Sequence, residues 1–373
     1  MCGEMKKKIS ILLIILFIFS FAIQLYFINP QYGWSDDYYV MKGSNPRIFQ
    51  TENGKIVMIY DMSLFSKLNS SMVKSDDGVN WSNSQEIFED YKAVVSNIFH
   101  ENDQDWIIFV ANRNIYISKF DDKHGFETPK KIHSIKAETQ IIDDILYLDD
   151  DEFLFSNRML KLFIFGGVSS SFTETQLIYI KSNDEKILKT FYGYSSCLYR
   201  DNNGKIWFLY HEATNDFFDS KISYITSEDG INWSELKEIK NSLGRTKDLS
   251  FYQTENGTYW LTYSFFKGES LFKEIYNQTS TDGENWSVPS RIFEEGLKTI
   301  SSILELQDGK MIFVCFDGFE VMPSEIYVRI FDEGNVNLDR IIFYLRSFLI
   351  SLVLILVFYG LFLKIKKFRR DKK

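Results

Sequence analysis

Cysteine and histidine are scarce in this chain of 373 residues. Three cysteines are too few for a fold held together by disulfides, and the four histidines show no metal-ligand spacing with them. The sequence also lacks a Gly-x-Ser-x-Gly nucleophile elbow and a phosphate-binding loop. It therefore predicts neither a metal site nor a cofactor. The residues concerned are Cys2, Cys197, Cys315, His100, His124, His133 and His211.

Helical periodicity is nearly absent from the middle of the sequence, and basic residues are outnumbered there. Residues 33–339 include 30 basic and 49 acidic side chains, a net charge of about −19. Such a charge repels the phosphate backbone, so nucleic acid is not an expected partner. The missing helical period predicts an all-β domain.

Long apolar runs occur at the two ends of the sequence. The first, residues 9–28, follows three lysines, and the second, residues 341–363, precedes the basic tail 364–373. Each run is long enough to cross a bilayer as a helix, and the positive-inside rule places the basic flanks in the cytoplasm. The sequence thus predicts an uncleaved signal anchor and a second transmembrane helix. Residues 1–8 and the tail would be cytoplasmic, with the domain 33–339 outside the cell membrane.

One short pattern, Ser-x-Asp-Gly-x-x-Trp, occurs three times. In such a hairpin turn the Asp carboxylate accepts backbone N–H groups, Gly permits a positive φ, and Trp folds back as a plug. The pattern resembles the Asp-box, or BNR repeat, of the sialidase superfamily, whose members are β-propellers with these boxes on the face away from the active site. The structural residues of the three copies are Ser75, Asp77, Gly78, Trp81, Ser227, Asp229, Gly230, Trp233, Ser280, Asp282, Gly283 and Trp286.

A second and longer repeat predicts the number of blades. An apolar strand, a turn of Asp, Asn and Gly, and a more apolar strand recur six times. Units of roughly 45 to 60 residues with about four strands each are typical of propeller blades, and they fit a β-sandwich or a β-helix less well. The predicted fold is a six-bladed β-propeller ectodomain flanked by an N-terminal and a C-terminal transmembrane helix.

Aligning the six units places one residue of each first strand at the mouth of the central channel. Of these six, Arg47 and Asp144 carry charge and are candidates for ligand binding. Residues 45–49, Asn-Pro-Arg-Ile-Phe, are similar to the Arg-Ile-Pro motif of sialidases, whose arginine belongs to a triad that holds the substrate carboxylate. The resemblance implies that role for Arg47. The candidates for the two other arginines are Arg245, Arg113 and Arg200, none of which lies in a family motif. An arginine paired with a neighbouring carboxylate is the alternative. The aligned residues are Arg47, Asn97, Asp144, Cys197, Ser250 and Ser302.

The catalytic residues of sialidases are matched in part. The family pairs a tyrosine nucleophile with a glutamate, and residues 193–212 resemble that run, which suggests Tyr194 and Glu212. Family members carry the tyrosine in the last blade, whereas Tyr194 falls in the fourth. The loop 62–72, where the acid/base aspartate should lie, contains no carboxylate, and Asp61 is the nearby substitute.

Three functions follow from these features. The leading hypothesis is a membrane-anchored, extracytoplasmic, sialidase-like propeller that recognises a glycan or an envelope surface protein without proven catalysis. The second is an active glycoside hydrolase of exo-sialidase type, in which two carboxylates act as acid and partner. The third is a platform for envelope assembly. The displaced tyrosine favours the first and Arg47 favours the second, whereas a flat apolar face would favour the third.

Overall fold

The computed structural model describes residues 34–332, apart from 65–66, 92, 102–103, 136–139, 150–151, 166–167, 182–183, 214–219, 241, 267–271 and 319–323. In this part of the chain it contains 24 strands and no helix, and Ser35–Phe331 form one compact unit. The all-β prediction is therefore confirmed.

The predicted localisation at a cell membrane needs correction. Across the described residues, the structure has no helix that combines the length and the apolar character needed to span a bilayer. The segments 9–28 and 341–363, on which that prediction depended, lie outside the described residues.

The strands form five hydrogen-bonded sheets, and neighbouring strands pair antiparallel. The first sheet contains β2 (Ser44–Gln50), β3 (Ile56–Leu64), β4 (Lys67–Ser75) and β5 (Gln85–Ile87). The second contains β6 (Ala93–Glu101), β7 (Gln104–Ala111), β8 (Asn114–Asp121) and β10 (Lys130–Ser134), with β9 (Gly125–Phe126) paired to β8.

The third sheet has seven strands: β11 (Gln140–Asp149), β12 (Glu152–Phe165), β13 (Val168–Lys181), β14 (Asp184–Arg200), β15 (Ile206–Ala213), β16 (Ser220–Ser227) and β17 (Lys237–Glu238). The fourth contains β18 (Thr246–Gln253), β19 (Tyr259–Phe266), β20 (Lys273–Ser280) and β21 (Ser290–Gly296). The fifth contains β22 (Lys298–Glu305), β23 (Met311–Asp317), β24 (Glu325–Phe331) and β1 (Tyr38–Lys42).

Apolar side chains on both faces of the inner strands hold neighbouring sheets together. In β3, Met58 and Tyr60 pack with residues of β23 on one side, whereas Val57 and Ile59 pack with residues of β7 on the other. A strand that is covered on both faces needs a continuous apolar run rather than an alternating one. This explains the sequences Ile-Val-Met-Ile-Tyr in β3 and Ile-Trp-Phe-Leu-Tyr in β15.

The sheets are arranged in a closed ring. The strands β2, β6, β11, β14, β18 and β22 contact one another in that order, and β22 contacts β2. The N-terminal strand β1 pairs with β24 and so completes the last sheet. We call these six strands the first strands, because each contains the aligned residue of one of the six sequence repeats.

Every first strand has a register shift near the start of its pairing with the next strand of the chain, which in β14 begins at Gly193. The shifts lie at Ser44/Arg47, Val95/Asn97, Ile142/Asp144, Tyr194/Ser196, Lys247/Leu249 and Ile300/Ser302. Three residues at these shifts, Asn45, Ser195 and Asp248, have φ values of 49°, 51° and 55°. We call the end of the first strands at which these shifts lie the bulge end. The opposite end, where a turn connects each first strand to the next strand of the chain, is the turn end. Bulges of this kind redirect side chains.

Candidate functional site

The three Ser-x-Asp-Gly-x-x-Trp turns lie at the turn end and have the same hydrogen bonds. Asp77 Oδ1 accepts the backbone N–H groups of Val79 at 2.9 Å and Asn80 at 2.7 Å, and Oδ2 accepts Asn80 Nδ2 at 2.7 Å. The backbone N–H of Asn80 contributes most to lowering the pKa of Asp77 to about 2. Asp229 and Asp282 accept the equivalent bonds. These carboxylates are thus engaged within their own turns.

The glycine and tryptophan of each turn pack against the neighbouring sheet. Gly283 has a φ of 74°, and a Cβ atom placed there would lie 2.5 Å from the ring of Trp207. Trp286 is buried in the same apolar cluster as Trp207, and its Nε1 donates to Gly283 O at 3.2 Å. The turn therefore serves packing between sheets.

A cavity of about 610 Å³ runs along the first strands. Its lining includes side chains from β2, β6, β11, β14, β18 and β22. Each of the six residues that the sequence repeats align with one another contributes to this lining. The structure thus brings Arg47 and Asp144 to one cavity.

Arg47 has an incomplete set of hydrogen bonds. Its Nη1 donates to Ser301 O at 2.7 Å, whereas its Nε is buried and has no partner. Within the described residues, no ion pair joins Arg47 to a carboxylate. A guanidinium held by a backbone carbonyl keeps its positive charge for another group.

Asp144 is nearly buried, with 8% of its surface exposed. Its Oδ1 accepts Ile145 N and its Oδ2 accepts Leu198 N, both at 2.9 Å. Burial raises the pKa of Asp144 to about 6, and the positive charge of Arg47 opposes this shift. The carboxyl group therefore titrates near pH 6 and is mostly ionised at pH 7.

The aligned positions also link neighbouring first strands. Asn97 Nδ2 donates to Ile145 O at 2.7 Å, and Ser302 Oγ accepts Ile48 N at 3.4 Å. The bond from Leu198 N to Asp144 is of the same kind. In all three bonds, the side chain of an aligned residue is hydrogen-bonded to a backbone group of the neighbouring first strand, one residue after the aligned residue of that strand. These links have a structural task that the sequence repeats did not reveal.

Asp61 lies at the bulge end, outside the lining of the cavity. It is 2% exposed, and it accepts hydrogen bonds from Ser70 Oγ at 3.1 Å and Asn45 Nδ2 at 3.3 Å. Burial raises the pKa of Asp61 to about 7, while these bonds and the charge of Arg47 oppose the shift. The carboxyl group is therefore largely protonated below neutral pH.

Tyr194, Glu212 and Arg245 are not among the residues that line the cavity. The Tyr194 hydroxyl donates to Thr246 O at 3.2 Å, and Glu212 Oε2 accepts Ser223 Oγ at 2.7 Å. Arg245 directly precedes β18 with a φ of 57°. The structure therefore does not gather these three candidates around Arg47.

His211 is a buried residue that the sequence did not single out. It is stacked on the ring of Tyr194 at 5.5 Å, and its Nδ1 lies 2.8 Å from Thr246 Oγ1. Its Nε2 is buried without a partner, and burial lowers its pKa to about 3. The imidazole is therefore neutral at physiological pH.

Sequence reasoning also missed the aromatic part of the cavity. Phe99, Tyr147, Tyr199 and Tyr252 line it two or three residues beyond the aligned positions, toward the turn end. Extending the alignment of the six repeats by three residues would have found them.

Comparisons with known proteins bear on the fold. Neither a protein-family model nor a curated protein matches the sequence. A protein of unknown function from Dyadobacter fermentans is similar in structure, with a TM-score of 0.56, 11% identity and coverage of 80% of this chain and 98% of that one. The Penicillium chrysogenum α-L-arabinanase complexed with arabinobiose has a TM-score of 0.52, 11% identity and coverage of 80% and 98%.

A third similar structure is the α-L-arabinofuranosidase of Fusarium graminearum in complex with an iminosugar inhibitor. Its TM-score is 0.50, with 10% identity and coverage of 82% of this chain and 99% of that one. At such identities the likeness shows the fold alone. The described part of the chain has an all-β fold consistent with the β-propeller glycoside hydrolases. Membership of the sialidase superfamily stays a prediction.

Proposed function

We propose that this chain is a six-bladed propeller of sialidase-like type that binds a carbohydrate in its central cavity. The blade count is supported by β14. Its residues up to Tyr192 pair with β13, and those from Gly193 onward pair with β15. Dividing the seven-stranded sheet at this point gives two four-stranded blades and six blades in the ring.

The observation that carries the proposal is a cavity in which Arg47 and Asp144 meet. Its volume of about 610 Å³ falls in the usual range for small-ligand sites. The Arg47 side chain is half-buried, lines the cavity and forms no ion pair with a carboxylate among the described residues. A carboxylate or hydroxyl group of a sugar would accept a hydrogen bond from the guanidinium, and a carboxylate would also balance its charge. A cavity of this kind suits a glycan better than the flat face of a partner protein.

Binding is better supported than hydrolysis. The carboxyl group of Asp61 and the side chains of Tyr194 and Glu212 do not line the cavity. Asp144 does, but each of its oxygens already accepts a backbone N–H. An active glycoside hydrolase is the second candidate, because a carboxyl group with a pKa of about 6 is suited to act as a general acid.

The test is binding of the full chain to a glycan array, alongside hydrolysis of fluorogenic glycosides that include a sialoside. Arg47→Ala should lose binding, whereas Arg291→Ala, an arginine outside the cavity, should retain it. Unchanged binding by Arg47→Ala would contradict the proposed site. Fluorophore release that disappears in Asp144→Asn would favour the hydrolase.

A further inference from the structure

The two ends of the central cavity offer different chemistry. Arg47 and Asp144 lie at the bulge end, whereas Phe99, Tyr147, Tyr199 and Tyr252 lie toward the turn end. Two or three residues along a strand correspond to about 7 to 10 Å. A ligand at the bulge end that is only one sugar ring in size would leave this aromatic region uncovered.

The aromatic side chains form two pairs on different parts of the wall. Phe99 of β6 stacks on Tyr147 of β11, with centroids 4.8 Å apart and planes 12° apart, and also on Trp106, with planes 4° apart, so Phe99 holds Tyr147 in place. Tyr199 of β14 and Tyr252 of β18 have centroids 6.1 Å apart. Tyr199 is fixed further because its hydroxyl accepts Gln253 N at 2.9 Å. Rings fixed in this way present apolar surface at a low entropic cost on binding.

Polar groups accompany the rings at the same end. Arg200 lines the cavity and donates from Nη2 to Leu148 O at 3.0 Å. His100 lies 3.0 Å from Asp105 through Nδ1, with half of its side chain exposed. Apolar ring faces combined with a few hydrogen-bonding groups suit a sugar ring, which has C–H faces and hydroxyl edges.

We propose that the turn end of the cavity is a second sugar subsite, formed by Phe99, Tyr147, Tyr199 and Tyr252 with Arg200 and His100. It rests on the proposed function and extends it: the ligand has at least two sugar units. One unit meets Arg47 and Asp144, and a neighbouring unit stacks on the aromatic side chains. The subsite lies at the end of the channel where the Ser-x-Asp-Gly turns are found, opposite the bulges.

The test is calorimetric titration of the full chain with two pairs of probes. The pairs are arabinose with arabinobiose, and N-acetylneuraminic acid with sialyllactose. We expect the longer member of one pair to bind about tenfold tighter than the shorter. Tyr147→Ala and Tyr252→Ala should each remove most of this advantage and leave the affinity for the shorter member unchanged. Tyr252→Phe, which retains the ring, should bind like the unaltered chain.

The matched control is Tyr39→Ala, an exposed tyrosine that does not line the cavity. Circular dichroism and the unfolding midpoint establish that each variant is folded. Equal affinity for the shorter and the longer member in both pairs, or equal losses for both members in the tyrosine variants, would overturn the second subsite and leave the proposed function standing. Failure of the unaltered chain to bind any of the four probes would overturn both. Loss of all binding in Arg47→Ala alone, with the tyrosine effects as expected, would support both.

Discussion

The two ends of the first strands differ in how completely their polar groups are satisfied. At the turn end, the carboxylates of Asp77, Asp229 and Asp282 each accept several hydrogen bonds, and their pKa values are lowered. At the bulge end, burial raises the pKa values of Asp61 and Asp144. Buried polar atoms without a hydrogen-bond partner occur at both ends: on Arg47, Asn157, His211 and Ser264 toward the bulge end, and on Thr51 and Asp122 at the turn end.

This difference separates what stabilises the ring from what is available to a ligand. The carboxylates of the three turns, which already accept several hydrogen bonds, gain little from a further partner. Unpaired buried groups lower stability, and a protein retains them where another task requires them. The contrast indicates that the carboxylates of the turns stabilise the ring, whereas the buried carboxyl groups at the bulge end lower its stability, and four substitutions test it.

The largest effect is expected from Gly283→Ala at the turn end. The new Cβ atom would lie 2.5 Å from the ring of Trp207, and the φ of 74° is unfavourable for alanine. Strain and overpacking together should lower the free energy of unfolding by about 3 to 5 kcal/mol. Urea unfolding measures this. Gly204→Ala is the control, since its φ of 83° adds strain but no atom lies within 4 Å, and about 1 kcal/mol is expected. Equal losses of unfolding free energy in the two variants would show that the contact with Trp207 does not explain the effect of Gly283→Ala.

The next effect concerns the protonation of Asp61 at the bulge end. Its pKa is raised in the folded protein to about 7 from a usual value of 3.8, so folding favours the protonated form. Asp61 therefore lowers stability as the pH rises from about 4 to 7. Asp61→Asn should remove this loss, and the variant should gain on the order of 2 to 4 kcal/mol over the unaltered chain at pH 8 relative to pH 4. Urea unfolding between pH 4 and 8 measures this difference. If the unfolding free energies of the variant and the unaltered chain changed equally with pH, the raised pKa would not belong to Asp61.

His211 should show the opposite dependence on pH. Burial lowers its pKa from 6.5 to about 3, so the unfolded chain binds a proton that the folded chain does not. Stability is therefore lost as the pH falls from about 6.5 toward 3. His211→Asn should reduce this loss by about 2 to 3 kcal/mol. The same unfolding series detects it, and a variant as sensitive to acid as the unaltered chain would disprove the role.

The smallest effect is expected at the links between first strands. Asn97→Ala removes the donor to Ile145 O and leaves a carbonyl without its partner. We expect a loss of about 1 to 2 kcal/mol in the free energy of unfolding. Asn114→Ala, which removes exposed bonds to Asn112 O and from Ser134 Oγ, should cost less than about 0.5 kcal/mol. Similar values for the two variants would mean that the links contribute little to the ring.

The candidate site was predicted only where a residue's position along its repeat was informative. Arg47 and Asp144 were found by aligning the turns, and both line the cavity. Tyr194 and Glu212 were suggested by a local resemblance, but a local resemblance does not specify which side of a strand faces the channel. The prediction of a membrane protein depended on segments outside the described residues, and the described part has no helix that could span a membrane.

The sequence by itself determined the features that depend on short stretches of chain. Apolar runs such as residues 206–210 specify strands covered on both faces, and the Ser-x-Asp-Gly-x-x-Trp spacing specifies a turn whose bonds close within seven residues. Only the tertiary structure decided which groups are left unpaired. The Nε of Arg47 lacks a partner, while its Nη1 donates to Ser301 O, 254 residues away in the chain. The pKa of Asp144 is raised because strands from distant repeats bury it. Burial and pairing are properties of neighbours in space, and no local pattern encodes them.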